Sequence, residues 1–294
     1  MTDSRPNTPN TKARLHPQNP HQGRYDMAAL AKALPALQAF LTTTPAGETS
    51  IDFSNPKAVV CLNRALLKHV YAVENWSLPD GFLCPPIPGR VDYVLCAQDL
   101  LQNAATPKHN IRALDIGTGA NLIYPMVATR LLNWEVVGSD INPKALENAQ
   151  KIIQNNANLQ GISLRLQHDA TQIFHGIVAR GERFDITLCN PPFFKSAEEA
   201  AKQAQRKWRN LKGQNNNRQR NFGGVNQELW CDGGEMAFLM RMVHESVTYA
   251  RQITWFTTLV ANQTHLPLLQ KTLQKLGAKR VAIVETGQIG RAHV

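Results

Sequence analysis

Ile111-Arg112-Ala113-Leu114-Asp115-Ile116-Gly117-Thr118-Gly119 is the stretch on which the fold turns. Ile111, Ala113, Leu114 and Ile116 make 111–116 strand-like. Two glycines one residue apart then let the backbone turn tightly and approach a ligand closely, before a helical pattern begins at 122. From here onward strand-like and helix-like runs alternate. Strands are expected at 111–116, 134–139, 162–167, 184–189, 253–260 and 280–285, and helices near 122–132, 143–157, 171–180, 235–250 and 265–276. That alternation predicts an α/β protein with a mostly parallel sheet covered on both faces. Ligands on such sheets bind beyond the carboxyl ends of the strands, where the loops after the first four strands lie.

The glycine loop narrows the choice of ligand. A dinucleotide fingerprint would carry a third glycine at 122, but that position is Leu122. Asp115 ahead of Gly117 instead suits a loop for S-adenosylmethionine (SAM), which has no pyrophosphate to cradle. Asp115, Gly117, Thr118 and Gly119 are therefore candidate cofactor residues. Asp140 closes the second strand 21 residues after Gly119, where a carboxylate can accept from both ribose hydroxyls; it can equally support the helix start at Asn142-Pro143. Asp169 closes the third strand and is expected to accept from the cofactor's adenine amine. A nicotinamide dinucleotide, or no cofactor, stays open as the other reading.

Beyond the fourth strand stands Asn190-Pro191-Pro192-Phe193. Asn190 offers a side-chain carbonyl to an NH2 group, and the Pro191 carbonyl is a second acceptor. The prolines stiffen the loop by fixing φ, and Phe193 offers a face for a ring to stack on. A planar amine on an aromatic ring is a weak nucleophile, so in-line positioning against an activated methyl group supplies most of the catalysis. A base inside a duplex must be unpaired or flipped to reach such a loop. Asn-Pro-Pro also occurs as ordinary turn chemistry. Cys189 has no His/Asp partner pattern and reads as a buried strand cysteine.

Composition sets the outer bounds. The chain has 294 residues, enough for a sizeable core, and a net charge of +10, which points to an anionic partner, nucleic acid first. Five scattered cysteines form no C-x-x-C, so neither a metal site nor a disulfide framework is expected, and a reducing cytoplasm fits. No apolar run reaches membrane-spanning length, and the polar N-terminus has no signal-peptide pattern. Residues 1–24 carry four prolines and Arg5, Lys12, Arg14 and Arg24 against Asp3, which reads as a basic disordered arm, passive or RNA-contacting. Amphipathic helices are expected at 25–41 and 56–74, and a helix at 91–104 after an extended, non-helical connector, Cys84-Pro85-Pro86-Ile87-Pro88-Gly89-Arg90. The 25–108 region is thus an N-terminal helical extension, an RNA-binding or cofactor-covering one, before a 109–288 sheet domain. A basic insertion, 195–234, interrupts that domain. Its 195–222 part holds Lys195, Lys202, Arg206, Lys207, Arg209, Lys212, Arg218 and Arg220 against two glutamates, with Trp208 and Phe222 interleaved. Cation with aromatic suggests phosphate contact and base stacking; a solvated charge run is the bland alternative. Gly223-Gly224 and Gly233-Gly234 flank Trp230-Cys231-Asp232 and suit a hinge.

With these residues assembled, the chain resembles the bacterial 23S rRNA adenine-N6 methyltransferases that modify adenine 1618. The resemblance runs from Leu15 to Glu285 and is carried by Leu15-His16-Pro17-Gln18-Asn19-Pro20-His21, Asn63-Arg64-Ala65-Leu66-Leu67-Lys68-His69, the 84–90 and 114–120 segments, Asn190-Pro191-Pro192-Phe193 and Asn221-Phe222-Gly223-Gly224. It implies a Rossmann-like class I methyltransferase fold, SAM as donor and a 23S rRNA adenine as acceptor, on free RNA or an assembly intermediate. In the related small-nuclear-RNA adenine methyltransferases the arginine matching Arg90 lies at the cofactor site. The family continues beyond Glu285 with a further strand, whereas here Ile289-Gly290-Arg291-Ala292-His293-Val294 reads as a translated sequencing adapter. The tail is therefore expected to be artefactual, and the last strand to be missing, leaving an open sheet edge. Rival readings are a protein glutamine or DNA adenine methyltransferase and, from another class, a non-catalytic RNA-binding module.

Overall fold

The computed structural model describes residues 15–102, 110–199, 202, 227–286 and the backbone of 292–293. Five parallel strands form the main sheet: β3 (Arg112–Ile116), β4 (Glu135–Asp140), β5 (Ile162–Leu166), β6 (Phe184–Cys189) and β7 (Ile253–Trp255), in the order β5-β4-β3-β6-β7. The chain steps outward from β3 in one direction and then crosses back to β6. The crevice where strand order reverses therefore opens between the loops after β3 and β6. Pairing of Ile116 with Cys189 sets those two loops side by side.

The N-terminal extension holds α1 (Met27–Ala33), a two-stranded ribbon of β1 (Leu41–Thr43) with β2 (Thr49–Ile51), α2 (Pro56–Tyr71) and α3 (Ile87–Gln102). α4 (Ile123–Leu132), α5 (Pro143–Gln154), α6 (Gly234–Tyr249) and α7 (Leu266–Lys275) flank the sheet. Asn-Pro starts two of these helices in the same way. Asn55 accepts from Lys57 N and Asn142 from Lys144 N, each at 3.0 Å, while the following proline takes the first helical position. Leu30, Leu62, Leu66 and Val91 of the extension pack into one apolar core with Leu122 and Met126 at α4 and Ile186 and Leu188 of β6.

Several expectations need correction. The single helix expected at 25–41 divides into α1, ending at Ala33, and a 3₁₀ helix over Pro35–Phe40, with β1 starting at Leu41; Pro35 removes a helical N–H at the break. The connector ending at Arg90 is partly helical: α3 begins at Ile87, because proline is tolerated in a first turn, where its missing N–H would be unpaired anyway. The expected helix at 171–180 is a run of turns. Ile173, Phe174, Ile177 and Val178 are buried there, but the Glu245 carboxylate takes the N–H groups of Ile173, Phe174 and His175, replacing helical bonds. The 253–260 run splits into β7 and β8 (Leu259–Val260), since Thr257 exchanges side-chain hydrogen bonds with Thr187 instead of continuing the ladder. Of the 280–285 run only β9 (Val284–Glu285) pairs. β10 (Ala292–His293) lies antiparallel between β8 and β9 in a separate small sheet, so the tail residues 292–293 do take part in strand pairing. The basic arm up to residue 14, the C-terminal residues 287–291 and 294, and Arg206, Lys207, Arg209, Lys212, Arg218 and Arg220 lie outside the described residues.

Candidate active site

A cavity of about 510 Å³ occupies the crevice at the carboxyl edge. Arg90, Gly117, Thr118, Gly119, Asp140, Asn190 and Pro192, all singled out from sequence, line it. Gly117 and Gly119 take φ of +73° and +65°, a backbone region that costs other L-residues strain. Open space faces Gly117, whereas a Cβ on Gly119 would sit 3.0 Å from Glu228 Oε1. The loop's N–H groups are already engaged: Gly117 and Thr118 both donate to Ser139 O at 2.9 Å, and Gly119 donates to Asp140 Oδ2 at 2.8 Å. On the far side Asn148 Nδ2 donates to Ala120 O and Trp76 Nε1 to Asn121 O, each at 2.8 Å.

The charges decide what the cavity can hold. Asp140 Oδ1 accepts from Asn142 N at 2.8 Å, so each carboxylate oxygen carries one backbone bond and keeps a lone pair for a ligand hydroxyl. Asp140 thus supports the α5 start and lines the cavity at once. Glu228, near the C-terminal end of the insertion, accepts from Ala120 N at 3.3 Å. Burial pushes the Asp140 and Glu228 carboxyls up, and Asp140 adds to the rise at Glu228. Beneath the loop, burial first and the Asp140 charge second push Asp115 up to about 7, opposed by the Thr118 hydroxyl and, less, by Arg90. Arg90 donates to Tyr124 Oη at 2.6 Å and leaves its Nε without a partner. Asp140, Glu228 and Asp232 line the cavity against Arg90 and Arg241, and with the loop donors spent this mixed lining suits a hydroxyl-rich ligand that carries both a positive centre and a carboxylate. A pyrophosphate would meet these carboxyls and find the N–H groups of the glycine loop already engaged. These residues fit SAM and argue against the dinucleotide.

On the acceptor side, Tyr93 of α3 fixes the end of β6. Its hydroxyl accepts from Cys189 N at 3.0 Å and bonds Thr257 Oγ1 at 2.8 Å. Asn190 follows immediately, with its side-chain Oδ1 buried and unpartnered. The Cys189 thiol is fully buried, and burial pushes its pKa far up, as an inert strand cysteine requires.

Several expected positions lie elsewhere. Asp115 is buried below the loop, and Pro191 is buried without lining the cavity. Phe193 does not line it either: its N–H donates to Leu229 O at 3.0 Å, and its ring packs edge-on to Phe194. The aromatic rings at the cavity are those of Tyr124, Trp230 and Phe238. Asp169 is exposed; its carboxylate is turned onto Thr171 N and Oγ1 at 2.8 and 2.6 Å, which lowers its pKa. Lys195 and Lys202 are exposed and outside the cavity. Sequence reasoning missed Glu228, Tyr93 and Tyr124.

Known proteins carry the same pattern. The RNA methyltransferase family profile matches residues 10–293. The chain belongs to the RNA methyltransferase family. Within it, a protein of Pseudomonas putida named ribosomal RNA large subunit methyltransferase F is 50% identical over 288 residues, covering 96% of this chain and 90% of that protein. Its Escherichia coli O127:H6 namesake is 50% identical over 279 residues, covering 94% and 90%. Among solved structures, the human METTL16 catalytic domain in complex with MAT2A 3′UTR hairpin 1 superposes with a TM-score of 0.77 at 25% identity, covering 95% of this chain and 93% of that one. The N-terminal domain of human METTL16 in complex with S-adenosylhomocysteine gives 0.75 at 22% identity, covering 95% and 96%, and so shares this fold. Among the described residues no helix is long and apolar enough to cross a membrane.

Proposed function

We propose that this RNA methyltransferase transfers a methyl group to the N6 amine of an adenine in the large-subunit rRNA, the 23S RNA. The observation that carries this reading is the buried, unpartnered Asn190 Oδ1 in the same cavity that Asp140, Glu228 and Arg90 line. SAM, when bound, supplies a methyl group already activated on a positive sulfur. Asp140 would take the ribose hydroxyls and Arg90 the carboxylate. Asn190 accepts a hydrogen from the amine and turns its nitrogen toward the donor side, while Pro192 holds the loop rigid. Because the cavity is a crevice, the base enters unpaired.

The basic arm and the cations of the insertion, from Lys195 to Arg220, would grip phosphates around the target, and the 25–108 helices would cover the cofactor and add RNA contacts. A ribosomal RNA substrate would fit a cytoplasmic enzyme. Labelled SAM offered to undermodified rRNA, duplex DNA and a glutamine-bearing peptide tests the reading. Label is expected in rRNA alone and is expected to vanish with Asn190→Ala, which keeps its SAM affinity. Label entering only the peptide or the DNA would defeat it.

A further inference from the structure

Asn190 Oδ1 has a counterpart of opposite sense. Trp230 Nε1 is also buried without a hydrogen-bond partner among the described residues. Both side chains line the same cavity. The indole is held there by backbone geometry rather than by chance packing. Phe194 and Trp230 form a parallel bridge, the Phe193 and Phe194 N–H groups donate to Leu229 O at 3.0 and 2.9 Å, and Cys231 N donates to Phe194 O at 3.1 Å. Residues 229–231 thus run as a short added strand along the continuation of the Asn190 loop, which fixes Trp230 relative to Asn190.

Buried donors and acceptors are paired in folded proteins, and an orphan that persists calls for an explanation. Indole Nε1–H can only donate, and the asparagine oxygen can only accept. Arg90 Nε, Arg241 Nε and Thr118 Oγ1 are also unpartnered in this cavity, but Asn190 and Trp230 are the uncharged acceptor and donor carried by the loop after β6 and the segment bridged to it, and together they complement a planar edge bearing an NH2 group next to an unprotonated ring nitrogen. Adenine has that edge on both sides of its amine, at N1 and at N7. Guanine and uracil place a carbonyl where the amine would sit, opposite the Asn190 acceptor.

We infer that Trp230 reads the target base, its Nε1–H donating to the ring nitrogen beside the reacting amine. This makes Trp230 a specificity-determining residue of the acceptor pocket, and the inference rests on the adenine reading above. A site built to hydrogen-bond a substrate atom rejects an analogue lacking it, because its own buried group is left unpaired.

The test is a double-mutant cycle between enzyme and RNA. Trp230→Phe keeps a ring and deletes the donor; rRNA fragments with 1-deaza-adenine or 7-deaza-adenine at the target delete one acceptor each. With wild-type enzyme one of the two analogues is expected to lose about tenfold in kcat/KM. Trp230→Phe is expected to lose about as much on unmodified RNA and nothing more on that analogue. SAM affinity, measured by calorimetry, is expected to match wild type, which also shows that the variant is folded. Three results would overturn the inference: Trp230→Phe equal to wild type on unmodified RNA, losses that multiply for both analogues, or a loss confined to SAM affinity. Failure of the adenine reading looks different, since wild-type enzyme would then leave every adenine substrate unmethylated.

Discussion

We propose that the open space in front of Gly117 takes the cofactor, and a matched pair of alanine substitutions measures this. Gly117 has φ +73° and Gly181 φ +79°, and neither has any atom within 4 Å of an added Cβ. Gly117 borders the cavity, while Gly181 turns the chain at an exposed bend that does not. The left-handed region costs an L-residue about 1–2 kcal/mol. Gly117→Ala and Gly181→Ala should therefore lose about the same stability, with a fall in Tm of about 2–4 °C per kcal/mol for a protein near this size. Their binding should diverge. A methyl group on residue 117 occupies space that no protein atom claims, so SAM affinity should drop at least tenfold, about 1.4 kcal/mol or more. Gly181→Ala should bind SAM like wild type. Differential scanning fluorimetry reads the first quantity and isothermal calorimetry with SAM the second. Equal SAM affinity in both variants, alongside equal melting losses, would refute the placement of the ligand at this loop.

Asp140→Ala should weaken SAM binding tenfold or more, because the carboxylate supports the loop and faces the cavity; Asp169→Ala, whose exposed carboxylate lies outside the cavity and bonds Thr171 through Oδ1, should stay within about twofold of wild type by the same calorimetry. At the opposite edge of the sheet, Glu182 binds Arg165 through two bonds of 2.6 and 2.7 Å and Arg112 through one of 2.7 Å, and these partners, Arg165 foremost, hold its pKa at about 2 against an ordinary 4.5. A carboxyl with a depressed folded-state pKa contributes stability that is present above 4.5 and is lost as pH falls toward 2. Chemical denaturation should accordingly show the gap between wild type and Glu182→Gln closing across that window; a gap constant with pH would count against the ion-pair account.

Local signals reached far into this fold. The Asp-x-Gly-x-Gly loop was legible because its glycines take positive φ and stand between a strand and a helix, and Asn190 because a strand delivers it directly to the carboxyl edge. What escaped was set by tertiary context. Pro88 reads as a helix breaker in isolation, yet a first-turn proline begins the helix that brings Arg90 to the cavity. Ile173, Phe174, Ile177 and Val178 have helical spacing, but a distant carboxylate, Glu245, satisfies their backbone and leaves turns. Glu228 and Trp230 reach the site from the C-terminal end of the insertion, and no spacing in the chain announces that. Asp169 was the opposite case: Asp169-Ala170-Thr171 is a local Asx-turn pattern, and that turn claims the side chain.

The cofactor loop is lashed down on both sides by Ser139, Asp140, Asn148 and Trp76. Holding a backbone residue in one conformation costs about 1–2 kcal/mol. Over the five residues 117–121 that cost is met when the chain folds and not when the ligand arrives. The donor half of the crevice therefore behaves as a rigid socket, with no closing motion of its own to wait for. Any slow ordering during turnover is left to the acceptor half, where the RNA has to present its base.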